Sequence, residues 1–300
     1  MSACKGYTHE SILLNGRQLK LASLANEKPR TPFEAETLLF IAAWLKGQRR
    51  FAQRTSGSTG KPKTIMLTRR QLAQSARRTL SALPVKPGDT ALLCLDPRYI
   101  AGKMMLVRAF IHNLPIVAVE PSGNPLAHLE QPVDFTAVVP LQLSRILAES
   151  PTALQKIKTV LVGGAPVPPP LAKAIQPLPG AVYATYGMTE TASNIALQRL
   201  SGANPDRSFR PLPGVTLTLN HRGCLVIRLP DFAKPIVTRD AAEIFPDGTF
   251  QILGRLDHVI NSGGHKNFSG RSRGTYSRGV FSFAHKPFFF CKWCAPPPVG

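Results

Sequence analysis

Apolar residues recur at helical spacing from Glu34 to Lys46 (EAETLLFIAAWLK), which predicts an early helix. Phe51 to Arg54 leads into a glycine- and hydroxyl-rich stretch, and Thr64-Ile65-Met66-Leu67 reads as a short strand after it. Thr68 suits a helix cap, and Leu72, Ala76 and Leu80 share one face of a helix running to about Leu83. Beyond the Pro87-Gly88-Asp89 turn, Ala91 to Leu95 reads as a buried strand. Ala101 to Asn113 follows as a helix, Ile116 to Val119 and Thr136 to Val139 as strands, and Leu141 to Glu149 as a helix. Thr159 to Val162 is a strand ending in Gly163-Gly164-Ala165. Such alternation predicts an α/β domain with covered sheets. From Gly214 the pattern changes to short strands, Val215 to Leu219, Leu225 to Leu229, and Phe250 to Leu253 after the Asp247-Gly248 turn. These predict a smaller β subdomain closing the large one. There are no internal repeats, and the low-complexity patches are Pro166 to Pro170 and the extreme C-terminus.

Composition narrows the picture. With 300 residues and 43% hydrophobic content, the chain can bury one large core or two modest ones. No window approaches about 18 apolar residues, and Met1 to Glu10 has no apolar signal region. Cys4, Cys94 and Cys224 show neither pairing nor metal spacing, so a reduced, cytoplasmic protein with no membrane partner is expected. The net charge of +20 ordinarily points to nucleic acid or an anionic membrane. However, the basic pairs Arg49-Arg50, Arg69-Arg70 and Arg77-Arg78 lack interleaved aromatics, so they read as solvated surface and no nucleic-acid partner is expected. The sequence does not specify an oligomeric state.

Residues 55–63 carry the clearest chemistry: Thr55, Ser56, Gly57, Ser58, Thr59, Gly60, Lys61, Pro62 and Lys63. Two glycines let backbone N–H groups approach phosphate oxygens, three hydroxyls follow Thr55 as further donors, and the lysines add charge. Only two residues separate Gly57 from Gly60-Lys61, so this is not a Walker A loop. A solvated Ser/Gly turn is the plainer alternative for such a cluster.

The string resembles the phosphate loop of the acyl-adenylate-forming superfamily of acyl-CoA synthetases, luciferases and adenylation domains. Three more segments match in that family's order: Tyr186-Gly187-Met188-Thr189-Glu190-Thr191, Thr238-Arg239-Asp240, and Gly254-Arg255-Leu256-Asp257-His258-Val259-Ile260. Leu95 to Met105 (LDPRYIAGKMM), Val107-Arg108-Ala109, Val139 to Leu143 and Tyr186 to Asn194 (YGMTETASN) are similar to the o-succinylbenzoate–CoA ligase subgroup of menaquinone biosynthesis.

The resemblance implies an AMP-forming acid–thiol ligase using ATP, Mg²⁺ and CoA, with an acyl-AMP intermediate. It implies a division into residues 1–50 packing on the large domain, an AMP-binding large domain at 51–254, and a hinge at 255–266. The 55–63 loop would clamp the β- and γ-phosphates. Thr189 would hydrogen-bond the α-phosphate and Glu190 would help hold Mg²⁺. Asp240 would accept from both ribose hydroxyls, and Arg255 would lie against ribose and phosphate. Gly163, Gly164 and Ala165 would form one adenine wall; Tyr186, followed by Gly187, would form the other. Tyr99 stands where many relatives have histidine, and could serve an aryl substrate or the core. Gly102 belongs to the same acyl-pocket segment, and Arg98, Lys103 and Arg108 are candidate partners for a dicarboxylate. Rival readings are a synthetase for another carboxylic acid, or a non-catalytic adenylate-binding or basic nucleic-acid-binding protein.

The match ends at Lys266. Codons AAA-AAT-TTC-TCC-GGA-AGA-AGT-CGA-GG are allowed for Lys266 to Gly274, and dropping one adenine yields Lys-Ile-Ser-Pro-Glu-Glu-Val-Glu, a family-like string. Residues 267–300 are therefore expected to be a frameshifted, disordered tail, which undercuts Cys291-Lys292-Trp293-Cys294 as half a zinc site. The small C-terminal domain with its adenylation lysine would then be missing and turnover impaired.

Overall fold

The computed structural model describes residues 7–54, 63–256, 259–262 and 265–268. Residues 55–62 of the predicted phosphate loop and the 267–300 tail, apart from a short strand end at 267–268, lie outside the described residues. The first half contains β1 (Ser11–Leu14), β2 (Arg17–Lys20), α1 (Pro32–Leu45), β3 (Arg50–Arg54), β4 (Thr64–Thr68), α2 (Arg69–Ser81), β5 (Ala91–Leu93), α3 (Ile100–His112), β6 (Ile116–Ala118), β7 (Phe135–Val138) and α4 (Pro140–Glu149). Then follow α5 (Pro151–Gln155), β8 (Thr159–Val162), α6 (Pro169–Ile175), β9 (Ala181–Met188), β10 (Ser193–Arg199), β11 (Arg210–Pro211), β12 (Thr216–Leu219), β13 (Cys224–Arg228), β14 (Ile236–Ile244) and β15 (Phe250–Arg255). A hairpin of Val259–Ser262 and His265–Phe268 comes last.

The main sheet has the order β11-β10-β9-β8-β7-β5-β6-β1-β2. Its central run from β9 to β1 is parallel, and antiparallel strands finish both edges. Parallel strands are covered on both faces, and here they read as continuous apolar runs such as Thr159–Val162. Alternation sorts those runs into two cores. Leu93, Phe135, Ala137 and Leu161 point to α1, α2 and α3, while Leu92, Cys94, Val138, Val160 and Val162 point to α4 and α6. Trp44, 1% exposed, anchors the first core, packed beside Phe40 and Phe51.

The antiparallel sheet β12-β13-β14-β15 forms the expected β subdomain. A third core of Ile195, Ala196, Leu225, Ile227, Ala242 and Phe250 joins it to β10, and Phe209 and Phe250 exchange backbone hydrogen bonds. Among the described residues no helix is long and apolar enough to cross a membrane.

Most expected elements are present with ends moved by a residue or two. α1 starts at Pro32 because Thr31 Oγ1 accepts from Glu34 N at 3.1 Å. Thr68 caps α2 as expected, reciprocated by Gln71. Periodicity had not marked β1, β2, β9, β10 or β14, and α6 begins inside the proline-rich patch, where first-turn prolines are tolerated.

Candidate active site

Asp240 on β14 and Arg255 on β15 are register partners, with Arg255 Nη1 3.5 Å from Asp240 Oδ1. The Asp240 side chain is 8% exposed. Its other oxygen, Oδ2, accepts a 2.7 Å hydrogen bond from Tyr186 Oη at the end of β9. Burial, reinforced by the Asp240 charge, pushes the Tyr186 phenol well above its ordinary range, so the proton stays on tyrosine. The Tyr186 ring is fixed against Phe250 at 5.4 Å, edge to face, and Phe209 at 6.0 Å. Thr238 Oγ1 accepts from Asp240 N at 3.1 Å. Among the described residues, Asp240 is thus a mostly buried carboxylate that accepts from Tyr186 and faces Arg255, which fits the two hydroxyls of a ribose.

β8 ends beside β9, and Gly163 opens the turn there. A Cβ at Gly163 would lie 2.4 Å from Thr185 Oγ1, so the backbone runs directly over the residue preceding Tyr186. Gly164 has φ +84°, a conformation costly for other residues, and with Ala165 it is exposed. Gly163, Gly164, Ala165 and Tyr186 therefore lie at the ends of adjacent strands, the usual place for ligands in parallel sheets. Gly187 has a different demand on it. Its Cβ would meet Ser193 O at 2.3 Å, so glycine is needed there for β9 to approach β10.

Thr189, Glu190 and Thr191 make one 3-10 turn after β9. Thr191 Oγ1 holds it, accepting from Met188 N at 3.0 Å and lying 2.6 Å from Ser193 O as donor. That leaves Thr189 half-buried and the Glu190 carboxylate exposed. One carboxylate beside phosphate oxygens is how Mg²⁺ is usually held, and Glu190 fits that role.

The acyl-pocket candidates diverge. Arg98 is half exposed and spends its charge on Asp96, with Nε–Oδ2 at 2.8 Å; this pairing raises its pKa. Tyr99 is half-buried at the N-cap of α3. Gly102 packs against the chain at Leu95 and Asp96, where a Cβ would sit 2.4 Å from Leu95 O. Lys103 is buried, its pKa lowered by desolvation, and it reaches Ala52 O on β3 at 3.4 Å. Lys63 is exposed at the entry to β4.

Arg108 points elsewhere, toward β10. It is 3% exposed, and its Nη2 donates to Ser193 Oγ at 2.9 Å and to Asn194 Oδ1 at 2.8 Å. Thr79 Oγ1 on α2 also donates to Asn194 Oδ1, at 3.1 Å. Among the described residues no carboxylate pairs with Arg108, and burial alone pushes its pKa down to about 10. Its Nε and the Asn194 Nδ2 are both buried without acceptors among the described residues. Sequence reasoning named Arg108 but missed Ser193 and Thr79. The available signal was Ser75 and Thr79, polar at i and i+4 on the otherwise apolar face of α2.

The family profile described as AMP-binding enzyme matches residues 47–225, more than half of the chain. The chain belongs to the AMP-binding enzyme family. Among curated relatives, a probable 2-succinylbenzoate–CoA ligase of Mycobacterium tuberculosis is 32% identical over 235 residues, covering 70% of this chain and 59% of its own length. The 2-succinylbenzoate–CoA ligase of Salmonella typhimurium is 29% identical over 247 residues, 77% of this chain and 52% of its own. The chain thus spans about half to three-fifths of the length of these relatives. Among solved structures, an acyl-CoA synthetase (AMP-forming)/AMP-acid ligase II-like protein from Dyadobacter fermentans is 44% identical with a TM-score of 0.71, over 82% of this chain and 71% of that one. The o-succinylbenzoate coenzyme A synthetase of Bacillus subtilis, in complex with ATP and magnesium, shares the fold at 23% identity and a TM-score of 0.64, over 72% and 52%. The mixed α/β architecture is that of the N-terminal domain of the acyl-adenylate-forming fold.

Proposed function

We propose that this chain is the nucleotide- and acid-binding part of an AMP-forming acid–CoA ligase, and that its acid is the dicarboxylate o-succinylbenzoate. ATP supplies the adenylyl group that makes the carboxylate an acyl-AMP anhydride, and CoA supplies the thiol that displaces AMP. Asp240 accepts from the ribose hydroxyls while Arg255 lies beside it, and Tyr186 fixes both the adenine face and the Asp240 oxygen. Thr189 donates to the α-phosphate, and Glu190 presents the carboxylate for Mg²⁺. The stretch Thr55 to Lys63 takes the outer phosphates.

The observation that carries the substrate reading is Arg108, a buried cation with no acid beside it among the described residues and with two orphan donors close by. One such donor on the buried guanidinium and a second on the neighbouring Asn194 amide suit an ionic two-oxygen acceptor. The carboxylate that is not being activated in a dicarboxylic acid has that chemistry, and the similarity to 2-succinylbenzoate–CoA ligases supports the same acid. The test is thermal stabilisation by a non-hydrolysable o-succinylbenzoyl-adenylate analogue. Stabilisation that disappears in Asp240→Ala supports the adenylate site, while stabilisation equal in both proteins contradicts it.

A further inference from the structure

Between Glu36 and Asp89 the chain has no acidic residue and eleven basic ones. The described residues of this segment supply the end of α1, the strands β3 and β4, and α2. At the base of the hairpin, at the opposite end from the 55–62 connection, Arg50 pairs in register with Thr68. Arg49, Arg50, Arg69 and Arg70 rim an open groove there of about 540 Å³, floored by Thr68 and Ala73, whose exposed surface is mostly apolar. Arg69 is held flat, its guanidinium 3.8 Å above the Trp44 ring and its Nη1 on Trp44 O at 2.7 Å. Arg49, Arg50 and Arg70 are exposed, and among the described residues none of the three pairs with a carboxylate. Arg70 and Arg77 stand on one exposed face of α2, seven residues apart, and extend the patch along the helix.

The patch carries an internal conflict. Arg69 and Arg70 occupy the first turn of α2, where acids are favoured and none is present, so each opposes the helix dipole. Departures of this kind from local preference are expected at functional surfaces. Next to the groove, the outward face of β4 presents Met66, 56% exposed. Cations spread over a hairpin and a helix, with an exposed apolar side chain among them, suit an extended anionic plane better than one small anion. Nucleic acid is disfavoured because the nearby aromatics Trp44 and Phe51 are turned into the core, so neither offers a stacking platform on this face.

We propose that this face docks on an anionic phospholipid surface, with the Arg49–Arg50–Arg69–Arg70 groove taking headgroup phosphates and Met66 entering the interface. The surface is separate from the Asp240–Tyr186 site and independent of the ligase reading.

The test is co-sedimentation of the chain with phosphatidylcholine vesicles, and with vesicles in which about a quarter of the lipid is phosphatidylglycerol, at low and near-physiological salt. Wild type is expected to sediment with the anionic vesicles and to stay in solution with the neutral ones. Arg49→Glu/Arg70→Glu is expected to lose at least tenfold in vesicle affinity. Arg207→Glu/Arg222→Glu makes the same change of net charge elsewhere and is expected to bind within about twofold of wild type. The milder Arg49→Gln/Arg70→Gln, checked for an unchanged unfolding midpoint, should show an intermediate loss. Equal losses in the 49/70 and 207/222 proteins, or no sedimentation of wild type, would overturn the proposal. So would retention on DNA or on 3′-phosphoadenosine 5′-diphosphate that falls in the 49/70 variants without vesicle binding.

Discussion

Tyr186 Oη donates to Asp240 Oδ2 at 2.7 Å across two sheets, tying the end of a main-sheet strand to the β subdomain. The two residues are 54 positions apart, and the bond joins the residue proposed against the adenine to the residue proposed for the ribose. Tyr186→Phe keeps the ring and removes the donor. It is expected to lower stability by about 1 kcal/mol, and to weaken adenylate-analogue binding while leaving it measurable. Urea denaturation and calorimetry of the same variant check both.

Gly187 is required by packing, so Gly187→Ala should act on folding first. A Cβ 2.3 Å from Ser193 O forces β9 and β10 apart. The expected loss is about 2–3 kcal/mol in the denaturant midpoint. Wild-type stability for this variant would mean the strands give way easily.

Glu34 shows how the N-terminal segment is secured. Its carboxylate, 1% exposed, accepts from Arg30 N, Asn15 and Arg17, with the Arg17 pair at 2.7 Å. Burial raises its pKa, but those hydrogen bonds and the Arg17 charge outweigh burial and leave it lowered. A lowered folded-state pKa contributes stability that is present above about pH 4.3, the unfolded value, and is lost as pH falls through the folded one. Glu34→Gln should therefore destabilise the protein by about 1–3 kcal/mol at pH 7 and flatten the acid limb of its stability profile. Thermal melts from pH 7 down to 3 measure this.

Arg108 separates stability from recognition. Because its charge is buried without a carboxylate partner among the described residues, Arg108→Met should leave stability unchanged or raise it by up to about 2 kcal/mol. A guanidinium that merely held the fold together would give a loss instead, read from the urea midpoint.

Much of this was legible in the sequence, and what was not has physical reasons. The buried strands Ala91–Leu93 and Thr159–Val162 announce themselves as apolar runs between turns, and Thr68 announces α2 through its cap. β9 and β14 were missed because each passes from core to site. Their half-buried polar positions, such as Tyr186 and Asp240, break the alternation that marks a strand. Asp240, Tyr186 and Arg255 were named from motif order and lie together in the structure. The division of labour among Arg98, Lys103 and Arg108 was not legible, because it depends on which face of α3 each occupies. Only packing set Lys103 toward β3 and Arg108 toward β10.

The most direct measurement is the affinity of a non-hydrolysable o-succinylbenzoyl-adenylate analogue, and of its benzoyl counterpart lacking the second carboxylate, for wild type and Arg108→Met. The account predicts that wild type prefers the dicarboxylate-derived analogue by roughly thirtyfold, about 2 kcal/mol, and that Arg108→Met binds both alike. Equal affinities in wild type, or a preference that survives in Arg108→Met, would contradict it.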